Sequence, residues 1–185
     1  MNDEKFIFCL EAISDSETPT NTPTIYGLEE LALHGVASIY NYCDSIEELE
    51  DRLGNLFYDD VHFTEYEIIY LVMQGTEDNI ELGNYTYSLE EIAELFEGKM
   101  NGKIIHFSNT KSLDLTEEAA HYFLAVSGAR AVSGYGKDSV SMRSLPLDQL
   151  FFRLCQDEHE LTDVVELMHE KHFAACKALD FRLYY

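Results

Sequence analysis

The chain has 185 residues, of which 46% are apolar and none is Trp. This length and composition fit one folded domain of residues 1–185 and exclude the weakly hydrophobic, disordered class of proteins. Its net charge of −23 repels nucleic-acid phosphates and anionic lipid, which excludes direct binding to nucleic acid or to an acidic membrane surface.

The first 60 residues predict two strands that alternate with two helices. In the segment 5–11, a continuous apolar run lies between Lys5 and Glu11, which is typical of an interior strand covered on both faces. Residues 13–24 are polar and contain two prolines, so they predict a mobile surface loop beside any site at the end of that strand. A short helix at residues 25–34 and a strand at residues 36–43 follow. Ser45 and Glu48 then form a capping box, which predicts a helix to about Tyr58.

The middle of the chain continues the alternation. Residues 67–73 predict a third strand, and two short segments around Gly83-Asn84 predict a small β-hairpin. Ser88 and Glu91 form a second capping box, so we expect a helix that ends at Gly98. Residues 103–107 predict the fourth strand.

The last third is mainly helical. Thr116 begins a helix that ends at Gly128, and a fifth strand follows at residues 129–134. Two further helices are predicted, one from Pro146 to about residue 156 and one over residues 161–179. Residues 181–185 have strand composition; they predict an edge strand, where pairing across a homodimer is also open.

This order of elements predicts an α/β fold. Strands that alternate with helices favour a mostly parallel sheet of about six strands with right-handed crossovers. Helices on both faces of that sheet make a three-layer sandwich, to which the small β-hairpin is added.

Two of the predicted strands stop at small polar clusters. The third strand is followed by Gln74-Gly75, and the fourth by Ser108, Asn109 and Thr110. Open α/β sheets place their sites at such carboxyl ends of strands. None of these side chains is a strong acid, a base or a thiol, so the pattern predicts where a site lies and leaves its chemistry open.

Four segments carry a resemblance to a known family. These are KFIFCLE at residues 5–11, IIHFSNTKSLDL at 104–115, FLAVSGARAVSGY at 123–135 and ALDFRLYY at 178–185. Together they resemble a small bacterial family of unknown function related to the caspase-like (CHAT-type) cysteine peptidases. The resemblance implies a caspase-like sheet, with a catalytic His at the end of the third strand and a catalytic Cys in the loop after the fourth.

Both catalytic positions differ from that pattern. Gln74 stands where the resemblance implies His, and Thr110 stands where it implies Cys. A shift of the second position by one or two residues reaches Asn109 or Ser108, and still no cysteine. Since the thiolate and the histidine act as one unit, their joint loss implies a pseudopeptidase whose crevice is formed by Gln74-Gly75 and residues 108–111, which include Lys111.

Other chemistries use residues near or far from this crevice. His106 alternates within the fourth strand and, with Ser108 or Thr110, would form a hydrolase; it is also typical of a hydrogen-bonded core histidine. A helical set on residues 161–179 has spacing that permits zinc ligation from one face. Its members are Glu166, His169, His172 and Cys176, of which His172 falls in the apolar stripe that predicts burial. We expect no cofactor.

Charge and cysteine usage bear on partners and compartment. Residues 1–100 hold 23 acids and 3 bases, whereas residues 101–185 hold 12 acids and 9 bases. This negative charge either attracts a basic protein partner or belongs to carboxylates that solvate helix faces and bind no partner. Four widely spaced cysteines within apolar segments predict reduced, packed thiols, and the absence of a signal or membrane-spanning pattern predicts a cytoplasmic protein.

Three function hypotheses remain. The first is a catalytically inactive binding or regulatory protein with a caspase-like fold. The second is an active hydrolase or peptidase that uses Thr110, Ser108 or a displaced cysteine with His106. The third is an acidic mimic of nucleic acid that inhibits a DNA- or RNA-binding protein.

Overall fold

A computed structural model describes residues 6–14, 19–108, 113–137 and 143–185. Its main feature is a six-stranded sheet with the strand order β2-β1-β3-β7-β8-β9. The strands are β1 (Phe6–Ala12), β2 (Ser38–Cys43), β3 (Tyr66–Val72), β7 (Ile104–Ser108), β8 (Ala131–Tyr135) and β9 (Phe181–Tyr184). All neighbouring pairs are parallel except β8 with β9. The predicted six-stranded, mostly parallel sheet is confirmed, and β9 lies at an edge of it.

In the part of the chain that the structure describes, six α-helices cover the two faces of the sheet. Their bounds are α1 (Pro23–Leu33), α2 (Ile46–Gly54), α3 (Leu89–Leu95), α4 (Glu117–Ser127), α5 (Leu145–Asp157) and α6 (Leu161–Leu179). Apolar residues of α2, α3 and α4 pack in one buried cluster, and those of α1, α5 and α6 pack in another. The central strands lie between the two clusters, which is why β3 and β7 are mostly apolar and every residue of both except Glu67 is buried.

Short polar side chains fix where the helices begin. Thr22, Ser45, Ser88 and Thr116 each accept a hydrogen bond from a backbone N–H three residues later. Each bond satisfies one of the backbone donors that a helix start leaves unpaired. Ser88 and Glu91 form the complete reciprocal capping box, whereas Glu48 accepts from the backbone N–H of Asp44 rather than that of Ser45.

Three helix boundaries differ from the sequence-based expectation. Helix α3 ends at Leu95, before Gly98, where the helix was expected to end. Helix α1 begins at Pro23, inside the predicted loop, because Thr22 caps it and proline suits the first helical position. Helix α2 ends at Gly54 and is continued by a π-helical turn over Asn55–Asp59. The predicted helix to about Tyr58 therefore has the right extent and a wider last turn.

The predicted hairpin is one part of a three-stranded antiparallel sheet. Its strands are β4 (Gln74–Thr76), β5 (Asn79–Leu82) and β6 (Tyr85–Ser88), in that order. The side chains of Ile80 and Leu82 are buried in the cluster under α2 and α3. The polar segment after β3 is thus a strand that pairs with β5 rather than a loop.

Two further features follow from the described residues. Within them, no helix is long and apolar enough to cross a membrane. All four cysteines of the chain are buried free thiols, as their spacing and apolar surroundings predict.

Gly134 in β8 lies in a space that admits no side chain. A Cβ atom built on it would lie 2.2 Å from Leu113 Cδ1 and 2.9 Å from the carbonyl oxygen of Phe107. The substitution Gly134→Ala is therefore expected to lower the free energy of unfolding by about 2 kcal/mol through overpacking. Urea unfolding followed by circular dichroism measures the change.

Gly54 provides the matched control. It has helical φ and ψ, and a Cβ atom there meets nothing within 4 Å. Gly54→Ala should leave stability unchanged or raise it by about 0.5–1 kcal/mol. Equal effects of the two substitutions would contradict the packing that we assign to β8.

Candidate functional site

The structure brings the two predicted strand ends together. Val72 at the end of β3 is paired with Ser108 at the end of β7, and the Met73 N–H donates to the Ser108 carbonyl oxygen at 3.3 Å. Gln74 begins β4 directly afterwards and its side chain is exposed, while Gly75 is half-buried opposite Ile80. Asn109, Thr110 and Lys111 lie outside the described residues.

Beneath these strand ends, the carboxylate of Asp148 is the centre of a buried polar cluster. Asp148 lies on α5 and is fully buried. Its Oδ1 accepts from His106 Nε2 at 2.7 Å and Tyr135 Oη at 2.5 Å. Its Oδ2 accepts from three hydroxyl groups, namely Tyr70 at 2.8 Å, Ser108 at 2.5 Å and Ser144 at 3.2 Å. Five donors thus surround one carboxylate, which compensates the cost of burying it.

His106 uses both of its ring nitrogens within this cluster. Nε2 lies beside Asp148, and Nδ1 lies 2.8 Å from the hydroxyl oxygen of Ser133. With the proton on Nε2 donated to the carboxylate, Nδ1 accepts the Ser133 hydroxyl proton. The Ser133, His106 and Asp148 side chains form a hydrogen-bonded chain of the residue types found in hydrolase triads.

This chain of hydrogen bonds is closed to a substrate. Ser133, His106 and Asp148 each have 0% relative exposure. The His106 ring also contacts Phe151 and Phe152 of α5, with ring centroids 4.9 and 5.3 Å away. The cluster therefore joins α5 to the sheet, and a catalytic role would require a carbonyl group to enter the core.

Burial raises the pKa of both tyrosines that contact Asp148. The pKa of Tyr70 and that of Tyr135 lie well above the usual 10.0, first because burial disfavours the phenolate and second because of the Asp148 charge. Both phenols therefore stay protonated and act as hydrogen-bond donors across the physiological range of pH.

Glu11 forms a second, smaller polar cluster at the end of β1. Its carboxylate accepts hydrogen bonds from Thr22 Oγ1 at 2.8 Å, Thr24 Oγ1 at 2.9 Å and Tyr40 Oη at 2.7 Å. These bonds hold the start of α1 against β1 and β2. The segment that was predicted as a loop lining a site is thus attached to the sheet from residue 22 onward.

No cysteine is placed to act as a nucleophile. Cys9, Cys43, Cys155 and Cys176 have at most 2% relative exposure. Burial is the first cause that raises the pKa of Cys9 well above 9.0, that of Cys43 to about 12 and that of Cys176 above its usual value. A reactive thiolate requires the opposite, a lowered pKa and access to solvent.

The helical metal candidates do not converge. Among the residues that the structure describes, no three His, Cys, Asp or Glu side chains are arranged to hold a metal ion. Cys176 is buried, whereas Glu166 and His172 are exposed. The predicted burial of His172 is wrong, because its φ of −138° and ψ of 44° interrupt the helix and the apolar stripe does not continue through it. His169 Nδ1 lies 2.9 Å from the carbonyl oxygen of Val165.

Sequence analysis missed Asp148 and Glu11, although a signal for each is present. Asp148 shares one helical stripe with Phe151, Phe152 and Cys155, so its side chain points toward the core. Glu11 ends an apolar strand that is covered on both faces. An acidic residue within a buried apolar pattern predicts hydrogen-bond donors around its carboxylate, because a buried charge needs such partners. This signal applies to both residues.

Removal of the Asp148 charge tests the role of the buried cluster. Asp148→Asn keeps the shape and turns one acceptor oxygen into a donor that faces other donors. We expect the free energy of unfolding to fall by about 3 kcal/mol. Asp157→Asn, at the exposed end of the same helix, is the control and should leave stability unchanged. Equal stability of the two variants in urea unfolding would contradict the assigned role.

The raised pKa values also predict sensitivity to alkali. Above about pH 9, the unfolded chain loses thiol and phenol protons that the folded chain retains, so folding stability falls as pH rises. Each thiol or phenol that stays protonated in the folded chain lowers the free energy of unfolding by up to about 1.4 kcal/mol per pH unit. Urea unfolding between about pH 7 and pH 11 measures this slope, and phenolate absorbance shows which tyrosines ionise. Stability that stays constant over this range would contradict the burial of these groups.

The comparisons with known proteins agree with this architecture. The crystal structure of the Drosophila initiator caspase Dronc is similar to this chain with a TM-score of 0.53 and 8% sequence identity, covering 92% of this chain and 74% of that one. At this identity the similarity shows the fold alone, and it confirms the caspase-like fold relation. The comparison with curated proteins finds no match. A family model matches residues 4–185, and the chain therefore belongs to the family of unknown function DUF6642.

Proposed function

We propose that this protein is a catalytically inactive, caspase-like protein that acts by binding a protein partner. The observation that carries the proposal is that every cysteine of the chain is buried. Caspase-like chemistry requires an accessible thiolate within reach of a histidine. This chain offers no accessible thiol for that step.

The residue at the end of β3 supports the same conclusion. The resemblance places the catalytic histidine at Gln74, whose exposed carboxamide neither gains nor loses a proton near neutral pH and so cannot act as an acid or a base. Thr110 stands at the implied cysteine position in the sequence. A hydroxyl nucleophile needs a nearby base, and the base position holds the amide.

An active hydrolase built on Ser108 and His106 fits the geometry less well. Ser108 Oγ lies 2.5 Å from Asp148 and 2.8 Å from Ser144 Oγ, and Ser108 is 1% exposed. Both nitrogens of His106 are already engaged, one by Ser133 and one by Asp148. The hydroxyl that does lie close to His106 is therefore in the core rather than in the crevice.

The distribution of charge favours a basic partner. The three helices on one side of the sheet, α2, α3 and α4, carry nine acids and one base. The three on the other side carry seven acids, including the buried Asp148, and three bases. Among the helices, the α2, α3 and α4 side is therefore the more negative, with a net charge of −8 against −4, and it attracts cationic proteins over a Debye length.

A basic nucleic-acid-binding protein is one partner of this kind. The acidic mimic hypothesis is therefore a special case of partner binding rather than a separate activity. It predicts that nucleic acid competes with this protein for the partner and that added salt weakens the complex.

An activity assay tests the inactive assignment. The native protein and Thr110→Ala are incubated with a mixed library of fluorogenic peptide and ester substrates. We expect both to show only the uncatalysed rate, because the described part of the chain pairs no nucleophile with a base at an accessible position. Turnover by the native protein that Thr110→Ala or Ser108→Ala abolishes would establish the hydrolase instead. Thr86→Ala, at an exposed position of β6, is the control for the substitution itself.

A further inference from the structure

We propose that the free edge of β2 binds an extended, basic segment of the partner by strand addition. This inference rests on the proposed partner-binding function and names the surface and the chemical class of the partner. In such complexes an added strand forms backbone hydrogen bonds with an exposed sheet edge.

Strand β2 has one paired edge and one open edge. Across residues 6–14, 19–108, 113–137 and 143–185, β2 pairs with β1 alone, through six consecutive residues without a register shift. The Ile7 N–H donates to the Ala37 carbonyl at 3.0 Å, and the Ile13 N–H donates to the Cys43 carbonyl at 2.9 Å. The backbone groups of odd-numbered residues in β2 therefore face β1.

The backbone groups of even-numbered residues consequently point away from the sheet. In a parallel pair, alternate residues of an edge strand turn their N–H and C=O groups outward. In β2 these residues are Ser38, Tyr40 and Tyr42. They present backbone donors and acceptors at the spacing that an added strand requires. The added strand displaces the water bound to these groups and forms hydrogen bonds with them in its place.

Strand β2 lacks the features that usually protect an edge. Natural edge strands are short, bulged, or carry Lys, Pro or other charges. The opposite edge, β9, has four residues and carries Arg182, which is paired with Asp180 and Asp114. Strand β2 has six residues with the sequence SIYNYC, which contains neither charge nor proline. The edges of the small sheet belong to strands of only three and four residues.

Exposed apolar side chains flank the open edge. Ile39 and Tyr42 point to opposite faces of the sheet, and their relative exposures are 39% and 38%. An added strand would cover part of both side chains and remove apolar surface from water. The edge thus offers hydrophobic contact in addition to its backbone hydrogen bonds.

The charge next to β2 is mainly negative, and the base of the following helix, Arg52, lies over the Tyr42 ring at 5.9 Å. Asp44 and Glu47 follow β2 and line a cavity of about 450 Å³ together with Tyr85 and Tyr87. Glu50 and Asp51 lie exposed on the helix that comes next. Carboxylates and tyrosine faces attract Lys and Arg side chains, so a basic segment is favoured. A second copy of this chain carries a charge of −23 and is repelled.

A peptide with alternating Val and Lys and blocked ends tests the proposal. Binding of a fluorescently labelled form is measured by anisotropy at low salt. Tyr42→Pro removes an outward N–H without removing a donor to β1, and it should weaken binding about tenfold, which corresponds to about 1.4 kcal/mol. Tyr42→Thr also loses the ring that the added strand would cover but keeps the N–H, so it is the matched reference, and Tyr42→Pro should bind more weakly than Tyr42→Thr. Amide hydrogen exchange should show protection of residues 40 and 42 on binding and unchanged protection of residues 39 and 41.

A second arm leaves the protein unchanged. Methylation of alternate backbone nitrogens on the edge-facing side of the peptide should abolish binding, whereas methylation on the other side should not. Replacement of its Lys residues by Glu should also abolish binding, because the neighbouring carboxylates repel it.

Several outcomes would overturn strand addition. Strand addition is overturned if the Val-Lys peptide does not bind at millimolar concentration, or if neither Tyr42→Pro nor N-methylation changes its affinity. Either result leaves open that a partner binds elsewhere on the acidic side. Dimerisation lost in Tyr42→Pro would make a second copy the occupant and would also overturn it. Turnover in the peptide and ester assay bears on the inactive assignment alone, so the two failures are distinguishable.

Discussion

The buried carboxylate of Asp148 is the interaction on which the arrangement of this protein depends. It binds side chains from β3, β7 and β8 at once, through Tyr70, His106 with Ser108, and Tyr135. Without Asp148, the five buried donors around it would lose this acceptor. The uncompensated cost of desolvating them would lower the free energy of unfolding. Helix α5 is thereby fixed over β3, β7 and β8, the strands that carry these donors.

The same cluster holds His106 in the core, away from the exposed end of β3. In a hydrolase, the histidine and its hydroxyl or thiol partner meet where a substrate can reach them. Here His106 and Ser133 meet one layer below the surface, and the exposed position at the end of β3 is Gln74. The hydrogen-bonded Ser, His and Asp side chains therefore join α5 to the sheet in this fold, and their residue types alone do not establish catalysis.

Local sequence signals predicted the architecture better than the site. The caps at Ser88 and Thr116 and the apolar runs of β3 and β7 are set by residues close in sequence, so they were predictable. The Asp148 cluster was not, because its partners lie 42 residues away at His106 and 78 at Tyr70. The burial expected for His172 failed for a related reason, since a backbone break interrupted the helical period on which that prediction relied.

Among the residues that the structure describes, no nucleophile and base are paired at an accessible position. Intact-mass spectrometry after incubation with electrophilic probes tests it directly, using a peptidyl acyloxymethyl ketone for thiols and a fluorophosphonate for hydroxyls. We expect an unchanged mass for the folded protein and thiol modification by iodoacetamide only after unfolding in urea. A stoichiometric adduct on the folded chain at Thr110, Ser108 or any cysteine would contradict it.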